Sequence, residues 1–410
     1  MAARAKSSAT SSERRSDSRA GPERREADMT GRSPWSSDEL EQVRGLAASY
    51  FKKEVLPNVP KHVAQGYPDK ALYRRAGELG LLCMSIPEAY GGGGGTFAHE
   101  AVLVEEQIRA GDPSMGFAVH CSIVAHYILA YASEAQKQKW LPRLASGEWV
   151  GAIAMTEPGT GSDLQAISTR AVRDGDFYRV SGAKTFISNG HVCDFIIIAV
   201  RTSDVKGHAG ISLLCAEVSD TTPGFERGRI LDKLGGKGQD TTELFFDDLK
   251  VPAVNLLGGE EGRGFVQMMQ QLPQERLVTA LIGMASLERA VEVTVEYTKQ
   301  RHVFGKPLFA LQNTRFELAE CATLRRVCRT FIDDCIQSHL QGQLDVTTAA
   351  MAKYWVTDQA CIVVDRCLQL FGGYGYMKEY PIAHLFADTR VLRIFAGANE
   401  VMKELVARSL

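Results

Sequence analysis

The chain has 410 residues, a formal net charge of -2 and 45% apolar residues, enough for two or three ordinary domains whose cores need no staples. With no long basic block in the part expected to fold, nucleic acid is excluded as a partner, and no apolar run reaches the ~18 to 20 residues of a membrane span. The nine cysteines contain no CxxC pair and read as reduced thiols; Cys321, Cys328 and Cys335, spaced by seven, share a helix face and read as core, so no metal is expected.

Residues 1 to 35 are rich in Ser and Arg and poor in large apolar side chains, which predicts a disordered tail. A transit peptide would share that composition but avoid acids, and Glu13, Asp17, Glu23, Glu26 and Asp28 interrupt it. The expected location is therefore cytoplasmic, with the mitochondrial matrix as the alternative and Met29 as a second candidate start.

From Ser36, the string Ser36-Ser37-Asp38-Glu39 offers a capping box for a helix to about Val55. Helical patterns follow over 70–80, 99–110, 114–132 and 134–144, giving an all-α domain over 36–152. The glycine run Gly91 to Gly95 lacks the preceding strand and following Lys-Ser/Thr of a phosphate loop and reads as a flexible turn. Between 153 and 257 short β-type runs at 177–180, 194–200, 210–218 and 242–246 predict a small, mostly antiparallel β domain. After Gly264, Leu277, Leu281, Met284, Leu287, Val291 and Val295 step along one helix stripe. Periodic stretches over 311–340, 345–370 and 380–407 complete an antiparallel four-helix bundle across 258–410.

Two segments concentrate chemistry: Ala154-Met155-Thr156-Glu157-Pro158-Gly159-Thr160-Gly161-Ser162-Asp163 and Lys184-Thr185-Phe186-Ile187-Ser188-Asn189-Gly190. Exposed backbone N–H groups and the hydroxyls of Thr156, Ser162 and Ser188 suit the edge of a polar heterocycle, although Pro-Gly and Ser-Asn-Gly are also ordinary turns. Glu157 and Asp163 read as turn-stabilising. No GxGxxG follows a strand, so Rossmann binding is not supported.

These strings resemble the flavin-contacting segments of acyl-CoA dehydrogenases. The resemblance continues in Arg301-His302-Val303-Phe304-Gly305-Lys306, Gln312, Gln369-Leu370-Phe371-Gly372-Gly373-Tyr374-Gly375 and Ile394-Phe395-Ala396-Gly397-Ala398-Asn399-Glu400, and it runs from about Ser36 to the C-terminus. It implies an α+β multidomain fold: an N-terminal all-α domain, a middle β-barrel or sandwich domain and a C-terminal four-helix bundle. It further implies that Met155, Thr156, Gly161, Ser162, Phe186, Ile187 and Ser188 meet the flavin of FAD, with Ser162 also near substrate. Arg301, Phe304, Gln312, Gln369, Gly372 and Gly373 would bind the diphosphate and adenosine end from a neighbouring subunit, and Ala398, Asn399 and Glu400 would serve the flavin end.

Most of the family places its catalytic Glu where this chain has Ala396. The string Gln271-Leu272-Pro273-Gln274-Glu275-Arg276-Leu277 instead resembles the long-chain and isovaleryl branches, which implies that Glu275 is the base, with Leu272, Arg276, Ala396 and Gly397 around the substrate. Pro273 predicts a kink or restarted turn beside Glu275, facing a cavity. The implied reaction is α,β-dehydrogenation of a medium- to long-chain acyl-CoA to the trans-2-enoyl-CoA, in fatty acid β-oxidation. Electrons would pass to an electron-transferring flavoprotein, and the assembly would be a homodimer at least, a homotetramer by family habit. The alternatives are an isovaleryl or other branched-chain acyl-CoA dehydrogenase, an oxygen-using flavin oxidase or monooxygenase of the same fold, and a non-catalytic scaffold.

Overall fold

The computed structural model describes residues 32–410, of which Trp35–Leu410 form one compact unit. The tail expected over residues 1–35, with the candidate start at Met29, lies almost wholly outside the described residues.

Helix α1 (Asp38–Tyr50) begins where Ser37 accepts a hydrogen bond from the Leu40 amide, satisfying one of the orphan donors of a first turn. A π-helical turn, Phe51–Val55, leads on to α2 (Val59–Gln65) and α3 (Lys70–Glu78). The sequence reading has no counterpart of α2, because Pro57 and Pro60 look like breakers; Pro60 sits in the first turn, where its missing N–H costs nothing.

The glycine run before α4 (Phe97–Ala110) is a turn, but a tightly held one. The amides of Gly93, Gly94 and Gly95 donate to the carbonyls of Cys83, Ile86 and Met84. A Cβ at Gly92 would sit 2.2 Å from the Ile86 carbonyl oxygen, so close backbone approach, not flexibility, explains the glycines. The helix expected over 114–132 is also interrupted: a π-helical turn at His120–Val124 precedes α5 (Ala125–Tyr131). Then α6 (Glu134–Ala145) opens with a capping box between Ser133 and Gln136.

The middle of the chain forms a seven-stranded sheet in the order β1-β4-β2-β3-β7-β6, with β5 paired to β4. Its strands are β1 (Gly151–Ala154), β2 (Arg170–Asp174), β3 (Phe177–Ser188), β4 (Phe195–Arg201), β5 (Ile211–Glu217), β6 (Phe225–Ile230) and β7 (Thr241–Pro252). Most pairings are antiparallel, but β1 and β2 meet β4 in parallel. Strand β4 reads as a continuous apolar run because both faces are covered. Phe195, Ile197 and Ala199 join the helical core, while Ile196, Ile198 and Val200 join the inner core of the sheet.

The C-terminal part contains α7 (Gly264–Gln300), α8 (Gln312–Leu340), α9 (Val346–Phe371), α10 (Pro381–Thr389) and α11 (Asn399–Ala407). A two-stranded hairpin, β8 (His302–Val303) with β9 (Lys306–Pro307), joins α7 to α8. Leu277, Leu281, Met284, Leu287 and Val291 pack against Cys328, Cys335, Val356 and Val363, so the cysteine stripe lies in the core. Two expectations fail here. Helix α7 runs unbroken through Pro273, which removes only the bond to the Met269 carbonyl. The helix expected over 380–407 is split, because Ala396 at φ +53° and Gly397 at φ +91° leave helical space.

An ion-pair network ties the layers together. Arg329 reaches Glu105 and Glu288, each at 2.8 Å, and Arg44 meets Glu105 at 2.9 Å, fastening α1 and α4 to α7 and α8.

Candidate active site

Glu275 lies on α7 and is only 7% exposed. Its Oε1 accepts a hydrogen bond of 2.9 Å from the Tyr127 hydroxyl, which α5 delivers from the other side. Burial raises the Glu275 carboxyl to about 7, against the Tyr127 hydrogen bond and the Arg276 charge, which pull it down. A carboxyl that titrates near working pH has the property a general base needs.

Its neighbours on α7 are as specialised. Arg276 is buried, and its Nε and Nη1 find no hydrogen-bond partner among the described residues. Burial lowers its pKa and Glu275 opposes that shift. A buried cation with two idle donors is costly unless something accepts from it. Gln274 donates to the Ser122 carbonyl at 2.6 Å, and its Oε1 lies 3.0 Å from His339 Nε2, so α5's approach turn and α8 both grip α7 beside Glu275. Leu272 is half-buried.

The two hydroxyl-rich segments come together. The Thr185 amide donates to the Thr156 carbonyl at 3.0 Å, and buried Lys184 donates to the Met155 carbonyl at 3.0 Å and to Glu157 Oε1 at 2.9 Å. Burial alone would raise the Glu157 carboxyl, but Lys184 and the donors of Ser168 and Thr169 hold it down to about 2. Glu157 thus braces the turn, and Asp163 caps the next one by accepting from the Gln165 amide. Met155, Thr156 and Ser188 are half-buried, while Gly161 and Ser162 are exposed. Ile187 points into the sheet core at 2% exposure, leaving only its backbone outward. Phe186 beside it is 66% exposed at φ +60°.

Arg301, Phe304, Gln312, Gln369, Gly372 and Gly373 are all exposed, at the C-terminal ends of α7 and α9 and the start of α8. The Arg301 guanidinium lies 5.2 Å from the centre of the Tyr374 ring, which joins the α7 end to the loop after α9. Phe304 stands 93% exposed at φ +50°.

The terminal loop is held from beneath by Lys353, which sequence reasoning does not single out as a site residue. Its ammonium donates to the Gly397 carbonyl at 2.6 Å and to Asn399 Oδ1 at 2.9 Å. Burial lowers Lys353 to about 8. Asn399 spends its amide on Tyr354, Thr357 and Asp358, so its side chain fastens the loop to α9. Ala396 and Ala398 are half-buried and Glu400 is exposed. Tyr127, Lys184 and Gln274 are likewise given no role by the sequence, although the last two stand inside its motifs: a Tyr in an apolar helix and a Lys in a strand give no signal of the partner each meets.

Among the described residues, one buried group has the composition of a metal site, Cys83, His120 and Cys121. Its imidazole has no lone pair to spare, since Nδ1 accepts from the Gly151 amide at 3.0 Å and Nε2 serves the Leu144 carbonyl at 2.9 Å.

The donor set fits FAD. Two aromatic rings held outward on left-handed backbone are unfavourable without a partner surface. A permanent cation with forked donors beside glycine backbone, Gly372 at φ +57°, suits a diphosphate.

Three family models match in succession, the N-terminal, middle and C-terminal domains of acyl-CoA dehydrogenases, over residues 37–148, 152–249 and 262–410. The chain is 43% identical to the mitochondrial long-chain specific acyl-CoA dehydrogenase of Mus musculus, over 91% of this chain and 87% of that protein. It is similar to the crystal structure of an acyl-CoA dehydrogenase from Geobacillus kaustophilus, with a TM-score of 0.89, 46% identity and coverage of 92% and 99% of the two chains. A glutaryl-CoA dehydrogenase of Mycobacterium smegmatis in complex with FADH2 matches with a TM-score of 0.83 and 25% identity, over 91% and 95%.

The cytoplasmic expectation is overturned. The mouse enzyme and its pig and rat counterparts are mitochondrial, as are the isobutyryl-CoA dehydrogenase of Dictyostelium discoideum and the isovaleryl-CoA dehydrogenase of Oryza sativa, 33% and 32% identical over 91% of this chain. The expectation rested on acids in a segment outside the described residues, and a few charges do not settle an address. The chain belongs to the acyl-CoA dehydrogenase family of FAD-dependent oxidoreductases.

Proposed function

We propose that Glu275 is the base that removes the α proton of a bound acyl-CoA. The observation that carries this reading is a buried carboxyl raised to about 7 on α7, in a chain whose terminal loop offers Ala396 instead. FAD, when bound, supplies the two-electron acceptor for the β hydrogen. An α proton beside a thioester is weakly acidic, so the carbonyl oxygen needs donors where charge grows. The Ala396 amide is one such donor, and Lys353 keeps its loop in place by holding the Gly397 carbonyl. Arg276 stabilises the ionised form of Glu275, and bound substrate would exclude water from both.

The site residues follow the same reading. Met155, Thr156, Gly161, Ser162 and the 186–188 segment border the flavin, while Arg301, Phe304, Gln312, Gln369, Gly372 and Gly373 take the diphosphate and adenosine of the FAD in a partner subunit's site. Since Glu275 and Arg301 stand far apart along α7, a homodimer is the smallest complete unit, and a tetramer fits the family. We assign the enzyme to the mitochondrion, a medium- to long-chain substrate and an electron-transferring flavoprotein as acceptor. The isobutyryl- and isovaleryl-CoA relatives favour a second reading, a short branched acyl chain.

In the test, Glu275→Gln stays yellow and binds acyl-CoA, yet its flavin is bleached at least ~10²-fold more slowly, the usual worth of a positioned base. Equal bleaching in mutant and wild type refutes the assignment. Anaerobic titration with straight and branched acyl-CoAs separates the two substrate readings, and subsequent mixing with oxygen or the flavoprotein identifies the acceptor.

A further inference from the structure

Only one oxygen of the proposed base is tied down. The Tyr127 hydroxyl meets Glu275 Oε1 at 2.9 Å, and among the described residues no other side chain donates to this carboxylate. We propose that Tyr127 is a positioning residue: by holding Oε1 it presents Oε2 as the oxygen that receives the α proton.

Local structure supports a dedicated placement. Tyr127 is wholly buried and lies just past the π-helical turn at His120–Val124. A π turn inserts one extra residue, and one residue is worth about 100° of rotation around a helix. Without it the phenol would leave the face that meets α7. Four residues on, Tyr131 lies on the same face, with its hydroxyl 3.1 Å from the Gln267 carbonyl and 2.9 Å from Gln270 Oε1. The two rings pack edge to face at 6.2 Å. This pair therefore grips α7 on both sides of Pro273, where one backbone bond is missing.

Tyr127 donates and does not itself titrate in the reaction. Burial, and then the Glu275 charge, push its pKa well above the ordinary phenol value. In the step proposed for Glu275, the α C–H bond breaks, its proton goes to Oε2 and its electron pair stays on the α carbon. The phenol keeps its proton and the hydrogen bond to Oε1 throughout. The titratable and charged groups around Glu275 are Tyr127 and Tyr131 from α5 and Arg276 from α7. Beyond Arg276 stands Lys353 of α9, and beyond Gln274 stand His339 of α8 and His126 of α5. Removing the Tyr127 donor leaves the Arg276 charge to favour the carboxylate against burial, so the base should become harder to ionise.

The inference rests on Glu275 being the base, and the experiment separates the two claims. In the FAD-loaded enzyme, Tyr127→Phe keeps the ring and removes the donor. The pH profile of flavin reduction by an acyl-CoA is expected to move up by about one unit, with about a tenfold loss of rate well below the midpoint. Well above the midpoint the rate changes by less than about threefold. Infrared titration of the Glu275 carboxyl, in isotope-labelled enzyme without substrate, should show the same displacement without turnover. A yellow, folded Tyr127→Phe with unmoved profile and titration overturns the proposal. If Tyr127→Phe does not retain FAD, 3-fluorotyrosine at position 127, a stronger donor of nearly equal size, must lower the midpoint, and an unmoved midpoint overturns it. Failure of the base reading looks different: Glu275→Gln would then reduce its flavin at the wild-type rate.

Discussion

Lys184 Nζ lies 2.9 Å from Glu157 Oε1, and the lysine is fully enclosed, next to the loop that carries Thr156 and on the irregular end of β3 that carries Phe186. The pair therefore shapes a surface it does not itself present. Lys184→Met leaves a buried carboxylate unpaired, a change that costs about 3 to 5 kcal/mol, and it frees the Met155 carbonyl. The variant is expected to melt earlier and lose FAD on gel filtration. Since Glu157 is held down to about 2, its contribution is present above the unfolded carboxylate pKa and lost as pH falls toward 2. Melting curves of wild type and Lys184→Met should therefore converge across that acid range.

Glu275 has the opposite sign. Its folded pKa is raised to about 7, so between the ordinary carboxylate value and 7 the folded state holds a proton that the unfolded chain has released. Its contribution to stability is complete at acid pH, declines as pH rises to about 7 and is flat beyond. Glu275→Gln removes that decline. The variant should exceed wild type by on the order of 3 kcal/mol at pH 8 and match it near pH 4, in denaturant titrations at the two pH values.

Arg329 is central to the ion-pair network, at 2.8 Å from both Glu105 and Glu288. Arg329→Met strips Glu288 of its nearest partner and leaves Glu105 with Arg44, and should cost about 3 kcal/mol. Flavin bleaching by acyl-CoA should keep its wild-type rate at low temperature, because the network lies away from Glu275; differential scanning calorimetry beside stopped-flow absorbance checks both halves.

Lys353→Met releases the Gly397 carbonyl and Asn399 Oδ1 together. The Ala396 amide then loses its fixed place, and the bleaching rate should fall by about tenfold while FAD remains bound, a modest part of what one oxyanion donor is worth.

The fold was largely legible because its signals were periodic. The stripe from Leu277 to Val291 predicted α7, and the β-type run over 194–200 predicted β4, whose cover on both faces only the structure shows. Punctuation misled where context overrode it: Pro60 hid α2, Pro273 failed to interrupt α7, and the glycine run proved rigid through bonds to Cys83, Met84 and Ile86. In the site, the order of motifs pointed to the positions that structure then brought together, Thr156 with Thr185 and Arg301 with Tyr374. The supports were invisible. Lys184 and Lys353 belong to a residue type that is almost always solvated, and only three-dimensional pairing shows that these two are enclosed.

From Glu275 to the end of α7 the helix is unbroken, and at about 1.5 Å per residue this stretch is longer than an extended FAD molecule. In the proposed reading a rod of that length would set Glu275 and Arg301 at separate cofactors, each protomer lending its far end to a neighbour. Damage should then be shareable: Glu275→Gln and Arg301→Ala, each inactive alone, would regain turnover when co-expressed as hybrids, because one of the two pockets in a mixed dimer escapes both lesions.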